Sequence, residues 1–150
     1  MGSPVAYQRS INSFIMSPII LSVPRIVLTI EYFIGGWPRI SSWPFKSLHE
    51  RIYRKSQITA PHLHPVYPFT DPRTTKLHMQ YIGVLMVMEG FLLAFPWTRA
   101  SVVTLFLGCF LTSSGYWSQM RSGMPYWLPV TNFLLAWVVW GLENGNATQH

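Results

Sequence analysis

Three residues with chemistry to offer stand inside apolar stretches: Arg25, Glu31 and Glu89. A charge in hydrocarbon costs at least ~2.5 to 3.5 kcal/mol at the centre of a bilayer, so such groups pair within the protein or line a functional site. Arg25 lies seven residues inside the Pro18 end of one apolar run, and Glu89 lies seven residues before Pro96 at the end of another. At 1.5 Å per residue both stand roughly 10 Å below one face if the two runs are antiparallel helices. The spacing predicts an ion pair between Arg25 and Glu89, serving either chemistry or the register of two helices. Glu31 falls about 20 Å down the first run, where the polar candidates are Thr112, Ser113 and Ser114. Glu31 and Glu89 are the candidate general acids or bases, which makes Glu89, Arg25 and Glu31 the predicted catalytic set.

The histidines offer less. His62 and His64 are one residue apart, with His49 before them and His78 after. Imidazole ligates metals, but this spacing lacks the helical His-x-x-x-His geometry and the nearby carboxylate is Asp71 alone, so no metal site is expected. No glycine-rich phosphate loop, nucleophile elbow or Cys-His pair is present, and no cofactor is expected.

The elements that must position these groups are apolar runs. About twenty apolar residues cross ~30 Å of hydrocarbon as a helix. Four stretches fit: about 18–37, bent near Pro24, then 76–96, 100–117 and 126–142. A short interfacial segment is predicted ahead of them at Ile11 to Met16. Between the first two runs, residues 38–75 turn to prolines, basic residues and histidines, and Pro61, Pro65, Pro68 and Pro72 forbid a continuous helix. That segment reads as a long extramembrane loop. Trp97 to Arg99 leaves only a tight turn, so the second and third helices form an antiparallel hairpin. Ala100, Thr104, Gly108 and Thr112 recur every four residues, with Gly115 one turn on, giving a face for close packing. Gly83, Gly90 and Ala94 are its predicted counterpart, the alternative being a homodimer seam.

Composition agrees with this layout. Of 150 residues 49% are hydrophobic and only 11% charged, against about 25% charged in a soluble domain. Mean hydropathy is +0.23 despite the polar loop. Disorder, collagen and a disulfide scaffold are excluded, the last because Cys109 stands alone. The net charge of +6 would suit nucleic acid, but seven of the eleven basic residues, Arg39 to Lys76, lie in the polar segment between the first two apolar runs, and no recognition motif accompanies them. Nucleic acid is therefore not expected, and the loop is placed on the cytoplasmic side, with both termini on the lumenal or outer face. Tyr81, Trp97, Tyr116, Trp117, Tyr126, Trp127 and Trp140 fall near predicted helix ends as headgroup anchors. The sequon at Asn146 lies close to the last helix and is expected to be unmodified. No cleavable leader or myristoylation pattern is read at the N-terminus, so the first helix is expected to serve as a signal anchor.

Local patterns resemble the DoxX-like small membrane proteins of four transmembrane helices. They are Arg25 in the first helix with Gly35-Gly36 at its end, Gly83 with Met88 to Leu93 in the second, and the turn Phe95-Pro96-Trp97-Thr98-Arg99-Ala100, similar to the family's short turn. The likeness spans about residues 20–142. It implies a redox-associated or pathway-accessory subunit, since some members of that family belong to quinone-reducing complexes. The long basic insertion resembles fungal homologues found beside secondary-metabolite genes. The expected protein is all-α, a single integral membrane four-helix bundle of the endoplasmic reticulum or another endomembrane. It would support handling of a lipophilic metabolite or quinone, with a protein partner docked at the basic loop. The alternative is a membrane-embedded isomerase or cyclase using Glu31 or Glu89.

Overall fold

Helices account for every regular element among the described residues of a computed structural model, which covers residues 18–63 and 71–147. They are α1 (Pro18–Ile40), α2 (Lys46–Thr59) continued by a 3-10 turn (Ala60–His62), α3 (Pro72–Ala94), α4 (Val102–Arg121) and α5 (Trp127–Ala147). The all-α expectation holds. The interfacial segment Ile11 to Met16, His64 and Thr148 of the sequon lie outside the described residues.

The 38–75 segment is not wholly loop. Lys46–Thr59 carries Leu48, Ile52 and Ser56 at intervals of four, which turns one face inward and leaves Lys46, Arg51 and Arg54 exposed. Pro61 stops that helix, and the prolines that argued against helix act only beyond it. Pro72 is no breaker either. It occupies the first turn of α3, where a proline has no donor to lose, while the Asp71 carboxylate accepts the Arg73 backbone N–H at 3.1 Å. The helix accordingly starts four residues before the predicted Lys76. Ser101 caps α4 in the same way, accepting from the Val103 N–H at 3.1 Å. That helix ends in a Schellman turn: Gly123, at φ 66°, donates to the Met120 carbonyl and Met124 to that of Gln119. α5 runs five residues past its predicted end and takes Glu143 and Asn144 into the helix.

α1 packs most extensively on α3, and α4 on α5, with further contacts of α1 with α5 and α3 with α4. α2 lies across α1 and α3 at the end where α1 finishes and α3 begins. The predicted counterpart of the α4 stripe faces elsewhere, because Gly83 and Gly90 serve the α1 contact. A Cβ on Gly83 would stand 2.9 Å from the Gly36 carbonyl oxygen, and one on Gly90 3.1 Å from the Phe33 ring. Ala94 is exposed.

Large apolar side chains stand on the outer faces, and polar ones are found inside as well as apolar ones. Ile30, Val84, Phe106 and Val138 are exposed on the outer faces of α1, α3, α4 and α5, while Glu89, Thr104, Thr112, Ser118 and Asn132 are buried. An apolar cluster of Leu28, Tyr32, Leu93, Leu111 and Val139 fills the centre. Of the predicted anchors, Trp97 and Trp127 are exposed, but Trp140 turns inward with its indole N–H buried. Among the described residues one helix, Pro72–Ala94, is long and apolar enough to cross a membrane, with a mean hydropathy of 1.4 over its best window.

Candidate functional site

Arg25 does not meet Glu89. Its Nη1 donates to Glu143 Oε1 at 2.9 Å, and Arg99 Nε donates to Glu143 Oε2 at 2.8 Å, so one carboxylate of α5 binds two guanidiniums. The depth argument failed because it treated Pro18 and Pro96 as level. Gly90 faces Phe33 and Gly83 faces Gly36, which puts Glu89 level with Tyr32, seven residues or roughly 10 Å from Arg25. α1 therefore begins about two turns beyond the α3 to α4 turn. Asn144 reinforces this corner, its Nδ2 donating to the Ala100 carbonyl at 3.2 Å.

Glu89 is 1% exposed and points at α4. A Cβ on Gly108 would stand 3.1 Å from Glu89 Oε1 and 3.6 Å from the Tyr32 hydroxyl oxygen, so the glycine in the α4 stripe makes room for a carboxyl group rather than a backbone. Glu89 Oε2 and the Tyr32 hydroxyl are buried without a hydrogen-bond partner. Neither Arg25 nor Glu89 lines the cavity beneath α2.

Glu31 does. A cavity of about 220 Å³ opens at the end of the molecule covered by α2, between the second half of α1, the start of α3, the end of α4 and the start of α5. Asn132 of α5 donates from Nδ2 to Glu31 Oε1 at 2.9 Å. Of the polar neighbours predicted for Glu31, Thr112 and Ser114 share the cavity wall, whereas Ser113 is exposed and takes no part in it. Met79, Ile82, Met86 and Leu111 supply an apolar wall. Arg39 lies two turns beyond Glu31 on the same face of α1, and donates to the Gly35 carbonyl of its own helix. Lys55 faces the cavity from α2. Burial, and then the Arg39 charge, hold its ammonium below the ordinary lysine value.

Arg39, Lys55 and Asn132 had not been singled out. Arg39 and Lys55 read as two more loop charges, yet Glu31, Gly35 and Arg39 at intervals of four mark one helix face, and Asn132 is a rare amide within an apolar run. The imidazoles are dispersed: His49 Nδ1 donates to the Pro38 carbonyl at 2.6 Å, His62 is exposed, and His78 lines the cavity. No family model, curated protein or solved structure matches this chain.

Proposed function

We propose that this chain is a multi-pass membrane protein in which α1, α3, α4 and α5 form a four-helix bundle, and that it is an accessory subunit holding a lipophilic metabolite in the cavity beneath α2. The observation that carries the reading is the cavity itself, with one wall of Met79, Ile82, Met86 and Leu111 and another of Glu31, Asn132 and Arg39. Such a mixed lining suits a molecule with an apolar body and a polar end. The membrane assignment is supported by the apolar outer faces, since a helix surrounded by lipid has no reason to turn its polar residues outward. Exposed Lys46, Arg51, Arg54, Arg73 and Lys76 around α2 and the start of α3 offer a basic surface for an acidic partner protein.

The test is to purify the protein in lipid nanodiscs and analyse what it retains by mass spectrometry. A lipophilic small molecule is expected at near one per chain in the wild type and absent from the cavity-filling Ser114→Trp variant. Equal retention by both would reject the cavity as its seat.

A second reading, an isomerase or cyclase, is favoured by the position of Glu31. Its carboxylate faces the cavity and is oriented by the Asn132 amide, as a general acid or base would need to be. Glu89 takes no part in this version. If Glu31→Gln inserts normally and product formation is untouched, the catalytic reading falls.

A further inference from the structure

Two cations meet at the cavity without an anion to balance them. Arg39, half-buried on α1, and Lys55, exposed on α2, both line it. The two ion pairs among the described residues both use Glu143, at the opposite end of the molecule, so neither cation is paired with a carboxylate. Arg39 spends one N–H on its own helix and keeps four in its planar fork. Glu31 is the one acid in the cavity wall, but it forms no ion pair with Arg39 and is bound by Asn132. Two like charges that face one cleft favour an anion between them.

The cavity thus presents, from α2 inward, two cations, an apolar wall and the Glu31 carboxylate bound by the Asn132 amide. Its 220 Å³ equals about seven waters at ~30 Å³ each, enough for a head group with one ring or the first few methylenes of a longer chain.

We propose that the cavity is a binding site for an amphiphilic anion, a carboxylate or phosphate held by Arg39 and Lys55, with its apolar part against Met79, Ile82 and Met86. This rests on the reading of the cavity as a ligand site and narrows it, since a neutral quinone would leave the cations unanswered. The same chemistry is available from a free amphiphilic acid or from the headgroup of an anionic lipid.

The probe is octyl phosphate, titrated calorimetrically into the full chain in phosphatidylcholine nanodiscs, with octanol and inorganic phosphate as comparisons. Octyl phosphate is expected to bind at least about tenfold more tightly than either, one charged hydrogen bond being worth about that factor. Lys55→Gln is expected to weaken it several-fold, and Lys55→Glu to abolish it. Lys55 sits on the partly exposed α2, so both variants should fold, and circular dichroism checks that they do. Arg39→Gln is expected to cost about tenfold or more, while Arg121→Gln, outside the cavity, leaves binding unchanged. Nanodiscs containing phosphatidylglycerol distinguish the sources: competition with octyl phosphate supports a lipid headgroup, and unaltered binding supports a free acid. If octanol binds as tightly, or the Lys55 variants bind like the wild type, the anion assignment fails although the cavity still holds a ligand. If neither octanol nor octyl phosphate binds saturably, the ligand-site reading fails and takes this one with it.

Discussion

The corner formed by Arg25, Arg99 and Glu143 gives the sharpest prediction, because it replaces the pairing that helix depth had suggested. The side chains are 19%, 30% and 12% exposed in that order. That places the cluster between a surface pair worth ~0 to 1 kcal/mol and a buried one whose rupture costs ~3 to 5 kcal/mol. Glu143→Ala removes the acceptor from two guanidiniums at once, so a loss of about 2 to 3 kcal/mol is expected. The informative experiment is a pair of double-mutant cycles, followed by denaturant unfolding in detergent micelles with circular dichroism as the readout. The cycle of Arg25→Gln with Glu143→Gln is expected to give a coupling of about 1 to 2 kcal/mol. That of Arg25→Gln with Glu89→Gln should be additive to within about 0.5 kcal/mol. Coupling to Glu89 instead, with additivity at Glu143, would refute the register of α1 against α3 and α5.

Other expectations follow from single sites. Gly83→Ala would place its methyl carbon 2.6 Å from Arg39 Cβ and 2.9 Å from the Gly36 carbonyl oxygen, and a backbone oxygen cannot move aside alone; a loss of about 1 to 3 kcal/mol is expected. Gly141→Ala meets nothing within 4 Å and should raise helix stability by up to about 1 kcal/mol in the same unfolding assay. Glu89→Gln keeps the volume without any charge and should cost under about 1 kcal/mol, whereas Glu89→Ala leaves a void worth about 2 kcal/mol or more; equal losses would mean that the carboxyl itself is used. For Lys55, whose ammonium is disfavoured in the folded state, linkage makes stability rise with pH between its lowered value and the ordinary lysine value, and this rise should vanish in Lys55→Met. NMR titration of ¹³C-methylated lysines checks the cause directly, since Arg39→Gln should move the Lys55 midpoint upward.

Much of the helical frame is legible in the residues alone. Apolar runs locate α1, α3, α4 and α5, and the four-residue recurrence of Thr104, Gly108 and Thr112 marks a face that is indeed buried. Other features are not legible, for identifiable reasons. α2 was hidden because the prolines of the 38–75 segment cluster after it, and a local count of breakers blurred that boundary. The partner of Arg25 was hidden because Glu143 stands in a polar stretch resembling a tail, although Asn144 can hold that stretch in helix by bonding back to the Trp140 and Ala100 carbonyls. Arg39 looked like a loop charge because Pro38 precedes it, yet both stay within α1. Matching depth from helix ends works only when the helices end together, and here α1 and α3 do not.

The central claim is that the outer faces of four helices touch lipid while the cavity lies within. Spin labels placed singly at Ile30, Val84, Phe106 and Val138, in a Cys109→Ala background reconstituted in bilayers, test it most directly. Each is expected to collide readily with dissolved oxygen and hardly at all with a water-soluble nickel chelate. Strong nickel access at these four positions, equal to that of a label on the exposed Arg51 of α2, would contradict the account.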